Sequence, residues 1–338
     1  MRIEKITLGE NASYAVIGEE KTALIDIPLG NPEGLISELE KVTKRIDYLV
    51  INHVNPAAEK CFAALLGSYP DITVYSSAAG QKFAEELINK SFRAEVCKHE
   101  RSIELGGGSL TFYITPNITW PDTIMTYASC GALFTGEFLS GKADKKEIER
   151  VFGGCREYVA SALEVIKGIN PDEIFTYSGL APKSVLDLYK LFCSEKKKSG
   201  VAIAYLSHYG YTKKLAKALS EHIENAEIFD LSECDLSEAA DKINNSDAFF
   251  LGTHTENGNL PERVWSLIGL LDTRKIKNLP YLVFGSGGWS NEGIYIADGV
   301  LQRLKMRRID RPCISCLNPS EEEIKKLISA ADKYREEG

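Results

Sequence analysis

Residues 200–212 constrain the fold more than any other part of the sequence. They read G-V-A-I-A-Y-L-S-H-Y-G-Y-T, and residues 201–206 form a continuous apolar run. Such a run is typical of a strand that is buried on both faces of a parallel sheet. A helical pattern begins at Lys213, directly after a hydroxyl-rich turn with one glycine. The segment therefore predicts a strand, a polar turn and a helix N-terminus in succession.

The turn has the composition of a phosphate-binding loop. The N–H groups of a helix's first turn have no intrahelical partner, and the helix dipole favours an anion beside them. Ser and Thr also serve as ordinary helix caps, so the turn alone leaves both interpretations open. The candidate residues are Ser207, His208, Tyr209, Gly210, Tyr211 and Thr212.

Two later loops also follow short apolar runs, at residues 248–251 and 281–284. In an open α/β sheet, ligands bind beyond the carboxyl ends of the strands, at the switch in strand order. These loops are predicted to form two walls around a flat ring, with Trp289 stacking on the ring or closing its edge. Their candidate residues are Thr253, His254, Thr255, Glu256, Asn257, Gly258, Ser286, Gly287, Gly288 and Trp289.

The three loops resemble those of flavodoxin-like FMN domains. Ser-x-Tyr-Gly-x-Thr resembles the phosphate loop of that family, Gly-Thr-x-Thr-x-Asn-Gly its second loop and Gly-Ser-x-Gly-Trp-Ser its third. The resemblance implies FMN as the cofactor. Glu256 departs from it by occupying a usually apolar position, and His254 replaces a common proline. A carboxylate near the ring disfavours anionic reduced flavin, so Glu256 bears on the potential more than on FMN binding.

Length and composition favour two domains in a cytoplasmic protein. A chain of 338 residues exceeds one typical core, and the polar residues 194–200 are the predicted linker. No apolar run approaches the ~18 residues of a membrane helix, and the N-terminus lacks the apolar core of a signal peptide. A net charge of −8 without a basic block argues against a nucleic-acid partner.

The eight cysteines are scattered, and we expect free thiols. Only Cys313 and Cys316 have a suggestive spacing, and one CxxC is a weak metal signal. They lie in residues 311–317, the predicted last strand of the sheet. The interpretation therefore favours buried thiols over a redox pair.

The first half of the chain predicts paired strands and outer helices. Apolar residues 12–17 and 21–27 flank a polar turn, and Asn31 with Pro32 opens a helix. Buried strands follow at 48–51 and 72–75, and hairpins at 102–115 and 123–135. A helix is predicted near 143–166 and a final strand with its loop at 173–179. Strands and helices in two runs indicate a sheet-on-sheet core with outer helices.

Joined to the flavodoxin-like half, this half resembles the flavodiiron proteins. Residues 22–26, residues 46–54 and the run Trp120-Pro121-Asp122 carry the resemblance, which covers nearly the whole chain. It implies an α/β fold in which a metallo-β-lactamase-like αββα sandwich, residues 1–195, precedes a flavodoxin-like doubly wound parallel sheet of order 2-1-3-4-5, residues 200–338. It also implies a head-to-tail homodimer or a dimer of dimers, with one subunit's flavin against the other's metal site.

The iron ligands that the resemblance implies are mostly absent. The family run H-x-E-x-D-H is here H-V-N-P-A-A, so His53 survives while Asn55, Ala57 and Ala58 replace the other ligands. Thr119 and Ser178 stand where histidines are expected, and Glu137 stands for the bridging aspartate. A di-metal centre needs several imidazoles and carboxylates, and the chain has five histidines in all. We expect no iron, a His53 whose ring is satisfied by neighbouring backbone, and a Glu137 that is hydrogen-bonded to Thr119 or His53. A single metal held by His53, Glu137 and water would be weak and exchangeable.

Three functions remain open at this stage. The first is an FMN electron carrier without a functional diiron centre, which a reductase or a ferredoxin- or rubredoxin-type donor reduces. The second is an FMN-dependent oxidoreductase that uses the emptied pocket as a substrate niche, or, less favoured, an O2 or NO reductase with a non-standard metal site. The third is a redox sensor. No NAD(P)H-binding fingerprint appears, since neither glycine cluster lies between a strand and a helix in the required pattern.

Overall fold

The computed structural model describes residues 1–140, 144–194 and 200–335, and the chain divides into two compact units, Met1–Glu195 and Lys196–Gly338. The predicted linker at 194–200 lies almost wholly outside the described residues.

The first unit begins with a six-stranded sheet of order β1-β2-β3-β4-β5-β6. Its first three strands are antiparallel and its last four are parallel. Asn31 caps the first helix as predicted, because its side chain accepts the Glu33 N–H. The elements are β1 (Arg2–Leu8), β2 (Asn11–Ile17), β3 (Thr22–Ile25), α1 (Pro32–Val42), β4 (Tyr48–Val50), α2 (Glu59–Ser68), β5 (Thr73–Ser76), α3 (Ala78–Ile88) and β6 (Ala94–Val96).

A second six-stranded sheet follows, of order β12-β11-β10-β9-β8-β7. The predicted helix near 143–166 is two helices with a 3₁₀ turn at Gly153–Cys155 between them, because the Gly153-Gly154 pair is a poor helix former. The elements are β7 (Arg101–Glu104), β8 (Ser109–Ile114), β9 (Ile124–Ala128), β10 (Ala132–Phe134), α4 (Lys145–Phe152), α5 (Arg156–Ile169), β11 (Glu173–Thr176), β12 (Gly179–Ala181) and α6 (Val185–Ser194).

The two sheets pack face to face, with helices on their outer faces. Successive side chains of β3 point to opposite sides of the sheet: Leu24 joins the core under α1 and α2, while Ala23 and Ile25 join the core with Phe112 and Phe134 of the second sheet. A third core lies between the second sheet and α4, α5 and α6. The predicted αββα sandwich is therefore confirmed.

The second unit is one parallel sheet with helices on both faces. Its order is β14-β13-β15-β16, with β17 and β18 both parallel to β16, which confirms the predicted order 2-1-3-4-5. Helices α7 and α11 cover one face, and α8, α9 and α10 cover the other. The elements are β13 (Val201–Tyr205), α7 (Tyr211–His222), β14 (Ala226–Asp230), α8 (Leu236–Asn244), β15 (Ala248–Thr253), α9 (Glu262–Gly269), β16 (Pro280–Gly287), α10 (Glu292–Arg303), β17 (Arg307–Arg308), β18 (Cys313–Cys316) and α11 (Glu321–Asp332).

The CxxC segment forms the predicted strand, but its thiols are not both buried. Cys316 is exposed and Cys313 is half-buried. A spacing of three residues on a strand places the two side chains on opposite faces, so they cannot act as a pair. Burial raises the pKa of the Cys313 thiol to about 11, which keeps that thiol protonated near neutral pH.

Among the described helices, none is both long and apolar enough to cross a membrane.

Candidate functional site

The three predicted loops of the second unit meet at the carboxyl ends of β13, β15 and β16 and enclose one cavity of about 480 Å³. Of the predicted cofactor-binding residues, Gly210 and Thr253 are the two that do not line it. Thr253 is buried at the end of β15, and Gly210 lines an adjoining cleft. The predicted residues that line the cavity are Ser207, His208, Tyr209, Tyr211, Thr212, His254, Thr255, Glu256, Asn257, Gly258, Ser286, Gly287, Gly288 and Trp289.

Ser290 and Leu317 also line this cavity and were not predicted. Leu317 reaches it because β18 runs parallel to β16, so that the residue after β18 lies beside the third loop. The Leu317 N–H donates to the Gly287 carbonyl at 3.0 Å, and the Leu317 carbonyl accepts the Ser286 hydroxyl at 2.6 Å. The sequence signal was the strand at 313–316, whose carboxyl end belongs at the same edge of the sheet.

The turn before α7 has the features of an anion site rather than of an ordinary cap. Gly210 is the N-cap residue in a left-handed conformation, with φ of +83°, and no side chain of the described chain caps the helix. The first helical hydrogen bond runs from the Lys214 N–H to the Gly210 carbonyl. Ser207 has a buried hydroxyl oxygen without a hydrogen-bond partner among the described residues. Free N–H groups and an unpaired hydroxyl together match the oxygens of a phosphate.

The second loop is a closed and well-anchored turn. Asn257 and Gly258 both have positive φ, of 51° and 72°, and Glu256 and Asn259 exchange two backbone hydrogen bonds of 2.9 Å. This is a type I′ turn, which requires residues that tolerate positive φ at both central positions. The Thr255 hydroxyl accepts the Gly293 N–H at 3.1 Å, which ties the loop to α10.

Exposed aromatic side chains border the cavity. Trp289 is 99% exposed and Tyr209 is 79% exposed, although both are large apolar groups. The rings of His208 and His254 lie 6.1 Å apart, and His254 Nδ1 lies 3.3 Å from the Leu206 carbonyl oxygen. Exposed rings beside a cavity with a few polar groups suit a flat aromatic ligand. FMN combines such a ring with a phosphate, so these residues fit it.

In the first unit, the cavity at the implied metal position is very small. It measures about 10 Å³, which is room for about one water molecule. Of the family ligand positions, His53, Thr119 and Glu137 line it, while Asn55 and Ser178 do not. No group of three or more His, Cys, Asp or Glu side chains in the described residues is placed to hold a metal.

His53 is held by a carboxylate rather than by backbone, which corrects the expectation. Its Nδ1 lies 2.9 Å from one oxygen of Asp122, and the other oxygen accepts the Val54 N–H at 2.8 Å. His53 and Asp122 are 5% and 1% exposed, and the Trp120 ring lies 4.9 Å from the imidazole. A buried imidazole and carboxylate must be paired, and here Asp122 is the partner of the Nδ1 atom.

The other family ligand positions also have protein partners. Glu137 is exposed and accepts from Asn55 Nδ2 at 3.3 Å, so the expected bond to Thr119 or His53 is wrong. Thr119 instead donates to the Ile118 carbonyl at 2.6 Å. The Ser178 hydroxyl lies 2.9 Å from that of Ser140. The serine at position 178, where the resemblance implies a histidine, thus takes part in a local hydrogen-bond network.

A buried carboxylate, Asp26, lies at the end of β3 beside this region. Its oxygens accept the backbone and side-chain N–H groups of Asn52 at 2.7 and 2.9 Å, and Asn52 accepts the Thr126 hydroxyl at 2.7 Å. Burial outweighs these hydrogen bonds and raises the pKa of Asp26 to about 6.

This raised pKa predicts a pH dependence of stability. Between about pH 4 and 6 the native state binds the Asp26 proton more tightly than the unfolded state, so the free energy of unfolding falls as the pH rises. One proton contributes at most about 1.4 kcal/mol per pH unit. Urea unfolding of the wild type and of Asp26→Asn from pH 4 to 7 measures this dependence. The free energy of unfolding of the wild type, relative to that of the variant, should fall as the pH rises. A difference that stays constant with pH would contradict the prediction.

Known proteins resemble this chain over both of its units. The flavodoxin family matches residues 203–330. The Flavo-diiron protein FprA2 of Clostridium acetobutylicum is 29% identical, over 98% of this chain and 93% of that protein. The Type A flavoprotein fprA of Rhodobacter capsulatus is 26% identical, over 93% of this chain and 81% of that protein. The rubredoxin oxygen:oxidoreductase of Desulfovibrio gigas is 21% identical and has a similar fold, with a TM-score of 0.67 over 96% of this chain and 89% of that one.

Proposed function

Since the chain belongs to the flavodiiron protein family, we propose that it transfers electrons through FMN without a functional diiron centre. Residues 1–195 would form a metallo-β-lactamase-like domain with a degenerate metal site, and residues 200–338 the FMN-binding domain. One observation carries the proposal: most positions where the family holds iron carry side chains that are poor iron ligands or have no donor atom at all. Ala57 and Ala58 offer no donor atom, and Asn55 donates to Glu137.

Iron requires more than the groups that remain. It is bound by imidazole and carboxylate side chains in proteins, and a reactive centre also needs open positions for its substrate. His53 directs one ring nitrogen to Asp122, and Glu137 is the other surviving ligand-type side chain at these positions. The small cavity of about 10 Å³ that His53 and Glu137 help to line supports the proposal, because it leaves little room for two metal ions with a bound substrate.

Bound FMN supplies the electron-transfer chemistry, and the chain's own residues bind and shield it. The turn before α7 would hold the phosphate through its free N–H groups and the Ser207 hydroxyl. Tyr209 and Trp289 would pack against the ring, and Glu256 would place a carboxylate near it. The negative charge of Glu256 disfavours an anionic reduced ring, so it would lower the potential at which the flavin is reduced.

The proposal includes a partner protein, because an electron carrier needs a donor and an acceptor. A reductase or a ferredoxin- or rubredoxin-type protein would supply the electrons, and we place the protein in the cytoplasm as a homodimer or a dimer of dimers. The alternative of an FMN-dependent oxidoreductase with a substrate niche needs more room than the small cavity beside His53 offers. An O2 or NO reductase needs the metal that the site does not fit.

Metal analysis of the purified protein tests the proposal. We expect full FMN and well below about 0.1 iron per flavin after anaerobic purification from iron-supplemented cells, because the ligands are missing. Loading with Fe²⁺ followed by gel filtration should leave the ratio unchanged. About two iron atoms per flavin would overturn the proposal and favour the alternative function of an O2 or NO reductase.

A further inference from the structure

The first turn of α10 contacts two of the three loops around the FMN-site cavity. Gly293 donates its N–H to the Thr255 hydroxyl of the second loop at 3.1 Å. Asn291, the residue before the helix, packs against Gly287 of the third loop: a Cβ added at Gly287 would lie 2.0 Å from the Asn291 Oδ1. The start of α10 therefore fixes the distance between these two loops.

Gly293 makes this approach because it has no side chain. A Cβ at Gly293 would lie 2.6 Å from the His254 carbonyl oxygen, 2.8 Å from the Asn259 carbonyl oxygen and 3.1 Å from the Thr255 Cα. All three atoms belong to the backbone of the second loop, which cannot rotate away as a side chain could. Its turn is also closed by the reciprocal Glu256–Asn259 hydrogen bonds, so it would move as a unit.

We infer that Gly293 is a positioning residue for the flavin: by its missing side chain and its N–H it sets how far the second loop stands from the third. This inference rests on the proposed function, since it names what holds two walls of the same FMN site. His254, Thr255 and Glu256 line the cavity, so displacement of their backbone changes the space available to the ring.

The test is the affinity of the full-length protein for FMN in Gly293→Ala and Gly299→Ala. Gly299 lies on the same helix and has open space around it, so its replacement adds the same methyl group without a contact. The strain of packing an added methyl group against fixed backbone corresponds to a factor of about 10 to 100 in an equilibrium constant. We expect the Kd for FMN to rise by that factor in Gly293→Ala and to stay within about twofold of the wild type in Gly299→Ala.

A second readout separates positioning from stability. Visible circular dichroism of the bound flavin reports its surroundings and should change in Gly293→Ala and not in Gly299→Ala. If Gly293→Ala does not fold, Thr255→Val removes the acceptor at nearly constant volume. Its Kd should rise as well, while Thr255→Ser keeps the hydroxyl and should retain the tighter binding.

The outcomes distinguish the inference from the proposed function. Unchanged Kd and unchanged flavin spectrum in Gly293→Ala would overturn the inference while FMN binding itself stands. So would Thr255→Val with wild-type affinity. A wild-type protein that binds no FMN would overturn the proposed function, and this inference with it. Non-additive effects in the Gly293→Ala, Thr255→Val double variant would support the coupling between helix and loop.

Discussion

Gly210→Val is expected to abolish FMN retention during purification. Gly210 adopts φ of +83° at the N-cap of α7, a conformation that costs a β-branched residue about 1–3 kcal/mol. We expect the turn to relieve this strain by rotating its peptide groups, which would direct its N–H groups away from the proposed phosphate position. A Cβ added at Gly210 meets no neighbouring atom within 4 Å, so the expected loss comes from backbone strain and not from a clash. Flavin absorbance per protein after gel filtration measures the effect.

Gly9→Val is the matched control for this substitution. Gly9 has φ of +59° and open space around it, in the turn between β1 and β2 of the other unit. It imposes a comparable backbone strain without touching the FMN cavity. We expect the control to lose some stability and to keep its flavin. Equal flavin content in the Gly210 variant and the wild type would remove the phosphate-loop assignment.

Asp122→Ala is expected to destabilise the first unit by about 2–4 kcal/mol, because it leaves the buried His53 ring and the Val54 N–H without their acceptor. The measurement is equilibrium urea unfolding of the full-length protein, followed by far-ultraviolet circular dichroism. This result would show that the pair of His53 and Asp122 stabilises the first unit.

Asp187→Ala supplies the comparison, since the Asp187 side chain is 79% exposed and, among the described residues, pairs only with Lys190 on the surface of α6. Its loss should cost no more than about 0.5 kcal/mol. The double variant His53→Ala, Asp122→Ala should be less destabilised than the sum of the single changes, because neither partner is then left unpaired. An Asp122 variant as stable as the Asp187 variant would contradict the structural role.

The parallel-sheet unit was the more predictable of the two from sequence. The runs at 201–206, 248–251 and 281–284 are apolar without alternation, which is typical of strands buried on both faces. Because parallel strands share one carboxyl end, the loops that follow them had to meet. In the first unit, β1 was not predicted, because it is an edge strand with only one buried residue and a weak apolar pattern.

Side-chain pairing was where prediction from sequence failed. His53 and Asp122 are 69 positions apart, and Asn55 and Glu137 are 82 apart, so no local pattern links them. The exposure of Cys316 also depended on an edge position in the folded sheet.

By itself, the sequence predicted the two-unit α/β architecture and the three loops that enclose the cavity of the second unit, because these follow from residue type and from short-range periodicity. Only the tertiary structure decided that Thr253 lies behind the cavity wall, that Leu317 and Ser290 line it, and that Gly293 lies against the second loop. It also decided that His53 pairs with Asp122 and Glu137 with Asn55. Such contacts join residues far apart in the chain, and their geometry depends on how strands and helices pack rather than on any local preference.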